Sequence, residues 1–508
     1  MNANGLYWLG HQAPAPCRRS ESERTTTIRL YLINPRNPLV GLTDLKASRW
    51  NRYRIWKPLG LLALAALTPP EWEIVVFDEN VRVPDYANLP RPDLVGVTAF
   101  TSQANRAYQV AAEFRSRSVP VVMGGIHATM RPDEAITHVD SLVTGEAEPV
   151  WAQVLADTQQ GALRSLYEGV HADMHQVPPA RHDLLTGDYA FGSIQTTRGC
   201  PLNCSFCSVS AFNGTLYRHR PIARVIEEFK SIREKWVLVV DDNLIGINTA
   251  HIARAKDLFR AMIQAKLHKR WIGQMTINMA DDEELLALAA KAGCAGVFIG
   301  FESPTAEGLK EVGKKFNLAN GRDLAASVRR IQRHGILVAG SFIMGLDTDE
   351  PGIGQRITQT ASCYGLDILN ALFLTPLPGT RLWNRMALED RIAADDFPRD
   401  WQYYTLSFPT ARYKHFSWAQ IMEEMNACDR SFYSWRRILW RVVGGLLRRR
   451  HPILSLVSNL SYRNNARSTR NSYGQLGIPQ GRAGQRRTAT SEALPVGWLV
   501  GPKQSSVV

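Results

Sequence analysis

The chain has 508 residues, 45% of them hydrophobic, enough for two or three domains with sizeable cores. No apolar run reaches the ~18–20 residues that span a bilayer, and the stretch Leu59–Leu67 is closed by Pro69 and Pro70. The formal net charge of +13 would suit nucleic acid or an anionic surface. It gathers, however, in C-terminal runs such as Trp435-Arg436-Arg437 and Arg448-Arg449-Arg450, which describe a tail rather than a groove, so no specific nucleic-acid partner is expected.

Residues 1–27 are polar and read as a flexible N-terminus. They lack a basic segment followed by a long apolar core, so no secretory signal is expected and the expected location is the cytoplasm. A rhythm of strand and helix begins at Ile28–Asn34. Leu59–Leu67 reads as a short helix, and Glu73–Asp78 and Asp93–Phe100 as strands. Ala104–Ser116 has helical periodicity, and Pro120–Gly125 and Ser141–Thr144 complete the strands. Apolar strands alternating with helices predict an α/β unit over 28–170, a doubly wound, Rossmann-like parallel sheet with a ligand crevice at the carboxyl ends of its strands.

A polar, proline-containing linker over 171–188 separates this unit from a second rhythm. Its strand candidates are Ser193–Thr196, Trp236–Val240, Gly273–Thr276, Gly296–Phe301, Val338–Met344 and Asn370–Leu374. The helices between them include Pro221–Lys235, Asp282–Ala292 and Leu324–His334. Over 189–380 this predicts a partial or full β/α (TIM-like) barrel, with its chemistry at the carboxyl ends of the strands. Residues 381–455 read as mainly helical, and 456–508, rich in Ser, Asn, Arg and Gly, as a basic disordered tail.

Seven cysteines occur, and three of them, Cys200, Cys204 and Cys207, share one loop just past the first strand of the second unit. An odd total with one tight cluster points to metal rather than disulfides. Three thiolates can hold three irons of a [4Fe–4S] cubane and leave the fourth open to substrate, unlike the four-cysteine clusters of electron carriers. A structural zinc site would need a fourth ligand. His219 is the nearest histidine in sequence, at a spacing unlike common zinc motifs.

The segment Thr197-Arg-Gly-Cys200-Pro-Leu-Asn-Cys204-Ser-Phe206-Cys207 resembles the radical S-adenosylmethionine superfamily. The resemblance implies a [4Fe–4S] cluster on the three cysteines as the catalytic and metal centre, S-adenosylmethionine on the open iron, a 5′-deoxyadenosyl radical, and a reductant such as flavodoxin or ferredoxin. It also implies cofactor contacts from Phe206, from Asp241 at the end of the second strand (Val239-Val240-Asp241-Asp242-Asn243), and from Glu302 in Phe298–Ser303. A barrel-rim ion pair is the competing reading of Glu302. Ser341 and Met344 are either pocket or packing residues. Pro376-Leu-Pro-Gly379-Thr380 is similar to the loop after the sixth strand in these proteins.

The first unit resembles the cobalamin-binding domain fused ahead of many such enzymes, on Asp93–Thr101 (including Thr98 and Thr101), Gly124-Gly125-Ile-His127 and Gly145-Glu146-Ala-Glu148. Thr98, Thr101, Gly124, Gly125, Gly145 and Glu146 are its implied cofactor residues. The glycines serve close approach to a large ligand or sharp turns. His127 reads as a structural histidine. The axial Asp-x-His-x-x-Gly loop is absent, since Asn34-Pro35-Arg36-Asn37-Pro38 stands there. That implies a cobalt without a protein histidine, or a retained fold without ligand. Phe212–Pro221 and Trp401-Gln-Tyr403-Tyr404 resemble the hopanoid- and bacteriochlorophyll-type branch.

The expected function is cobalamin-dependent methyl transfer to an unactivated carbon of a small-molecule or lipid substrate. The alternative is radical rearrangement, cleavage or 3-amino-3-carboxypropyl transfer, for example to an arsenic acceptor. Trp435–Arg450 reads as a basic amphipathic helix, either for peripheral membrane contact or for docking with a solvated basic face. Gly444-Gly445 weakens its helical pattern.

Overall fold

Two parallel sheets account for the strand rhythm. The structure, a computed structural model, describes residues 28–39, 56–187, 189–447 and 451–475. The first sheet consists of β1 (Ile28–Asn34), β2 (Trp72–Asp78), β3 (Leu94–Thr98), β4 (Val121–Gly124), β5 (Ser141–Gly145) and β6 (Leu166–Gly169), in the order β2-β1-β3-β4-β5-β6. All its pairings are parallel. The order reverses beside β1, so a crevice opens at the carboxyl ends of β1 and β3. β1 is apolar on both faces: Tyr31 and Ile33 enter one core, Leu30 and Leu32 the other. β6 escapes sequence pattern because only Tyr167 of its four residues is buried.

The second unit adds β7 (Gly192–Ile194), β8 (Thr197–Arg198), β9 (Arg218–His219), β10 (Trp236–Val239), β11 (Arg270–Gln274), β12 (Cys294–Glu302), β13 (Leu337–Met344) and β14 (Ile368–Phe373). β7 and β10 to β14 pair in sequence order as an open parallel sheet, a partial barrel, while β8 and β9 form a separate antiparallel pair. Helices fill the connections, and their inward faces join the barrel strands in one large core.

The helical region after the barrel ties both units together. Trp401 is fully buried in a core of the first unit, and its indole N–H donates to Glu134 at 2.7 Å. The helix Trp418–Phe432 starts at a Ser417–Gln420 capping box. Its Glu424 accepts the N–H groups of Gly352 and Gly354 (2.7 and 2.9 Å), so it caps the helix Ile353–Tyr364.

Two expectations change at the C-terminus. The helix Trp435–Leu447 runs through Gly444-Gly445. The disorder expected from 456 does not begin there, because a helix spans Pro452–Ser472. Its small polar residues pack instead of being solvated: Asn459 is fully buried, donates to the Asp367 carbonyl at 3.1 Å and accepts from Arg441 at 2.7 Å. Residues 1–27, Arg448–Arg450 and 476–508 lie outside the described residues. No helix among the described residues is long and apolar enough to cross a membrane.

Candidate active site

The antiparallel β8–β9 pair closes the base of the loop that carries the three cysteines. Within the loop, Cys200 N–H donates to the Gly214 carbonyl and Cys207 N–H to that of Cys204. Asp242 accepts from Gly199 N–H at 2.7 Å and from the Asn213 amide at 2.9 Å, which fixes both ends of the loop. Ser205 is tied on both sides, donating to the Val312 carbonyl and accepting from Leu382 N–H. Cys204 is buried, while Cys200 and Cys207 are partly buried. Burial pushes all three thiols up, Cys204 to about 11, against the opposing charge of Lys314.

Lys314 is the cation of this site. It is buried and donates to Glu302 at 3.2 Å. Burial pushes its ammonium down, but Glu302 and the neighbouring Cys204 and Cys200 outweigh burial and hold it above its ordinary value. Glu302 reaches Lys314 through a local irregularity. The β12–β13 register shifts between Gly300 and Glu302, and Glu302 has φ of 65°. Such a shift re-aims a side chain. A Cβ at position 300 would sit 2.0 Å from the Glu302 carboxylate, so a larger residue would displace that side chain from its place beside Lys314.

A cavity of about 610 Å³ runs from the carboxyl ends of β1, β3, β4 and β5 to the helix that follows Cys207. This lies within the usual size of cofactor pockets, about 300–1,000 Å³. Thr98, Gly124 and Gly125 line its first-unit wall; Ser208, Phe212 and Asp242 line the wall beside the cysteine loop. At the end of β1 it is met by Asn34 and Asn37, and among the described residues no histidine lines it. His127 is fully buried elsewhere, with Nε2 2.8 Å from the Tyr108 hydroxyl and its ring edge-on to Trp401.

The two units are locked beside this cavity by buried ion pairs. Glu146 accepts from Arg198 at 2.8 Å, from both Arg218 Nη1 (3.0 Å) and Nη2, and from Ala172 N–H at 2.8 Å. Arg198 also binds Glu148. Burial pushes the Glu146 carboxyl up, but Arg218, Arg198 and the Ala172 N–H outweigh burial and hold it below its ordinary value. Lys57, also buried, reaches across to Glu234 at 2.8 Å.

Residues 194–351 match the Radical SAM superfamily model, and residues 48–155 match the B12 binding domain model. The chain thus carries a radical SAM domain behind a B12-binding domain. It is 26% identical to a bacteriochlorophyllide d C-12(1)-methyltransferase of Chlorobaculum tepidum, over 83% of this chain and 91% of that one. It is 29% identical to a hopanoid C-2 methylase of Rhodopseudomonas palustris, over 67% and 66% of the two chains. The fold is similar to the radical S-adenosylmethionine methyltransferase TsrM of Kitasatospora setae, at TM-score 0.61 and 18% identity, covering 88% of this chain and all of that one. The chain is thus an enzyme of the methyltransferase class, with a [4Fe–4S] cluster, S-adenosylmethionine and cobalamin as its cofactors.

The radical SAM residues fit the cluster. Three soft thiol donors share one tied loop, and a buried cation stands by to offset the charge that a thiolate-bound cluster brings. Among the described residues no three His, Cys, Asp or Glu side chains converge closely enough for a single metal ion. The B12-binding wall fits a large ligand: a Cβ at Gly124 would meet nothing nearer than 3.5 Å, so the backbone itself is cavity wall. Gly125 and Gly145 are needed for the chain's own path. They have φ of 90° and 71°, and a Cβ there would lie 2.6 Å from Thr98 Oγ1 and 2.1 Å from the Gly169 carbonyl.

The structure gives several residues expected at the cofactors partners within the protein itself. Asp241 is fully buried and accepts from Thr196 (N–H and hydroxyl, both 2.5 Å) and Thr197 (2.9 Å); its neighbour Asp242 faces the loop and the cavity. Glu146 touches the cavity, but its oxygens are taken by the two arginines and Ala172 N–H. Thr101 is buried at the start of a short 3-10 helix, and the cavity is lined by its neighbours Phe100 and Ser102. Ser341 is buried on β13 opposite Asn370, away from the cavity. Phe206 packs against the barrel core between its two cysteines. Sequence reasoning missed Lys314, which stands in no motif, and the roles of Arg198 and Asp242, which flank residues it did single out.

Proposed function

We propose that this enzyme transfers a methyl group to an unactivated carbon of a small-molecule or lipid substrate. The supporting observation is the single cavity that joins the B12-binding wall at Thr98 and Gly124 to the helix following Cys207. It borders both units and reaches the residues that flank the cysteine loop. When bound, the cofactors supply reductive cleavage of S-adenosylmethionine, the 5′-deoxyadenosyl radical and the methyl carrier.

The protein's own part is to hold, orient and exclude water. Cys200, Cys204 and Cys207 hold the cluster. Asp242 keeps their loop in one conformation through Gly199 and Asn213. Glu302, buried beside Lys314, is the carboxylate we assign to bound S-adenosylmethionine. Phe206 anchors the middle of the loop. Thr98, Gly124 and Gly125 form the corrin-side wall, and Phe212 covers the cavity from the other side. A small reducing protein such as flavodoxin or ferredoxin is the expected electron donor.

The test is anaerobic reconstitution followed by mass spectrometry of products from candidate substrates. A product heavier by one methylene, formed with 5′-deoxyadenosine, supports methyl transfer. Turnover with any other mass change would refute it. Cys204→Ala should abolish both cluster iron and 5′-deoxyadenosine; activity surviving that change would remove the cysteine from its role.

A further inference from the structure

The helix Trp435–Leu447 has an outer face that a solvated helix would not carry. Its inner face packs through the fully buried Ile438 and the partly buried Val442. Its guanidinium at Arg441 turns inward to Asn459 and the Phe432 carbonyl. The outer face should then be polar. It presents instead Trp435, Leu439, Trp440, Val443 and Leu446, at 56, 58, 81, 49 and 63% exposure, and Ile453 on the next helix adds another at 78%. Scattered exposed hydrophobics need no explanation, but a contiguous stripe of them marks an interaction site.

Charge says what the partner is. No carboxylate occurs in the sequence between Asp429 and Glu492. Arg436 stands exposed within the apolar stripe; Arg437 beside it is partly exposed, with its guanidinium 3.4 Å from the Ser362 hydroxyl. Arg463 lies over the Trp435 ring at 4.9 Å, so one edge of the stripe is cationic as well. Arginine and tryptophan interleaved with Leu and Val suit a layer with an anionic surface and an apolar interior. A nucleic acid would use the arginines and leave Leu439, Val443 and Leu446 in water. We propose that this helical hairpin docks the enzyme on an anionic phospholipid bilayer, with the stripe at the headgroup–acyl boundary and the arginines snorkelling to the lipid phosphates.

The experiment is co-sedimentation of the intact chain with sucrose-loaded vesicles. Phosphatidylcholine vesicles containing phosphatidylglycerol are compared with phosphatidylcholine alone. Binding is expected to the anionic vesicles only, to weaken with added NaCl, and to shift tryptophan emission to the blue. Leu439→Ser/Trp440→Ser should lower partitioning by about tenfold or more. Arg436→Gln/Arg437→Gln should lower it about fivefold per charge removed. Because Leu439 and Trp440 are exposed, the first variant should keep wild-type circular dichroism and thermal melting, so lost binding reports the surface. Equal binding to both vesicle types, no vesicle binding, or binding unchanged in Leu439→Ser/Trp440→Ser would overturn the proposal. So would self-association of the wild type that this variant abolishes, which would assign the stripe to a second copy. DNA binding lost in the arginine variant but kept in Leu439→Ser/Trp440→Ser, with no vesicle binding, would overturn it in favour of nucleic acid.

Discussion

Glu146 stands where a cofactor contact was expected, yet the structure makes it the knot between the two units. Its side chain is 2% exposed, and those of Arg198 and Arg218 are each 11% exposed. Glu146→Ala would leave Arg218 without its anion, while Arg198 would keep Glu148. Breaking a buried ion pair from one side costs about 3–5 kcal/mol. Glu148→Ala removes a single charged contact and should cost less, about 1.5–3 kcal/mol. The assay is hydrogen–deuterium exchange over β8, β9 and the Gly145–Glu148 turn. At 1.4 kcal/mol per decade, Glu146→Ala should accelerate exchange there by about two to three and a half decades, with the barrel strands unaffected. The sign with pH follows from the lowered carboxyl. Its stabilisation is fully present above the ordinary glutamate value and is lost as pH falls through the lower folded value. Exchange at the knot should therefore show no extra opening around neutrality and should loosen only in acid. Unchanged protection in Glu146→Ala, with the fold intact, would refute the claim that this carboxylate couples the units.

Three further outcomes follow from the same geometry. Gly124→Val should fill the cavity wall and abolish corrinoid retention, read from the absorption of the purified protein, while cluster iron stays at the wild-type level; Gly124→Ala should be tolerated at its 3.5 Å contact. Lys314→Met should leave Glu302 buried without a cation and cost about 3–5 kcal/mol, measured by anaerobic thermal denaturation, with cluster iron reduced as well. Trp401→Ala should cost about 3–5 kcal/mol through the lost burial and should expose the region after the barrel to limited proteolysis.

What the sequence determined by itself was local. Three cysteines on one loop are close because the chain between them is short, whatever the fold around them. β1 and β13 announce themselves because strands buried on both faces must be apolar throughout. The edge strand β6 and the small polar helix Pro452–Ser472 carry no such pattern, and there composition misled. Asp241 and Asp242 are adjacent and chemically identical, so sequence had no means to tell the brace from the residue that faces the loop; their partners decided it, Thr196 and Thr197 for the one, Gly199 and Asn213 for the other. The pairings that shape the site join distant parts of the chain: Arg198 with Glu146 across 52 residues, and Trp401 with Glu134 across 267. Sequence fixes which charges exist, but partners so far apart are chosen by packing. Only the tertiary structure could show Glu146 as an interdomain clamp.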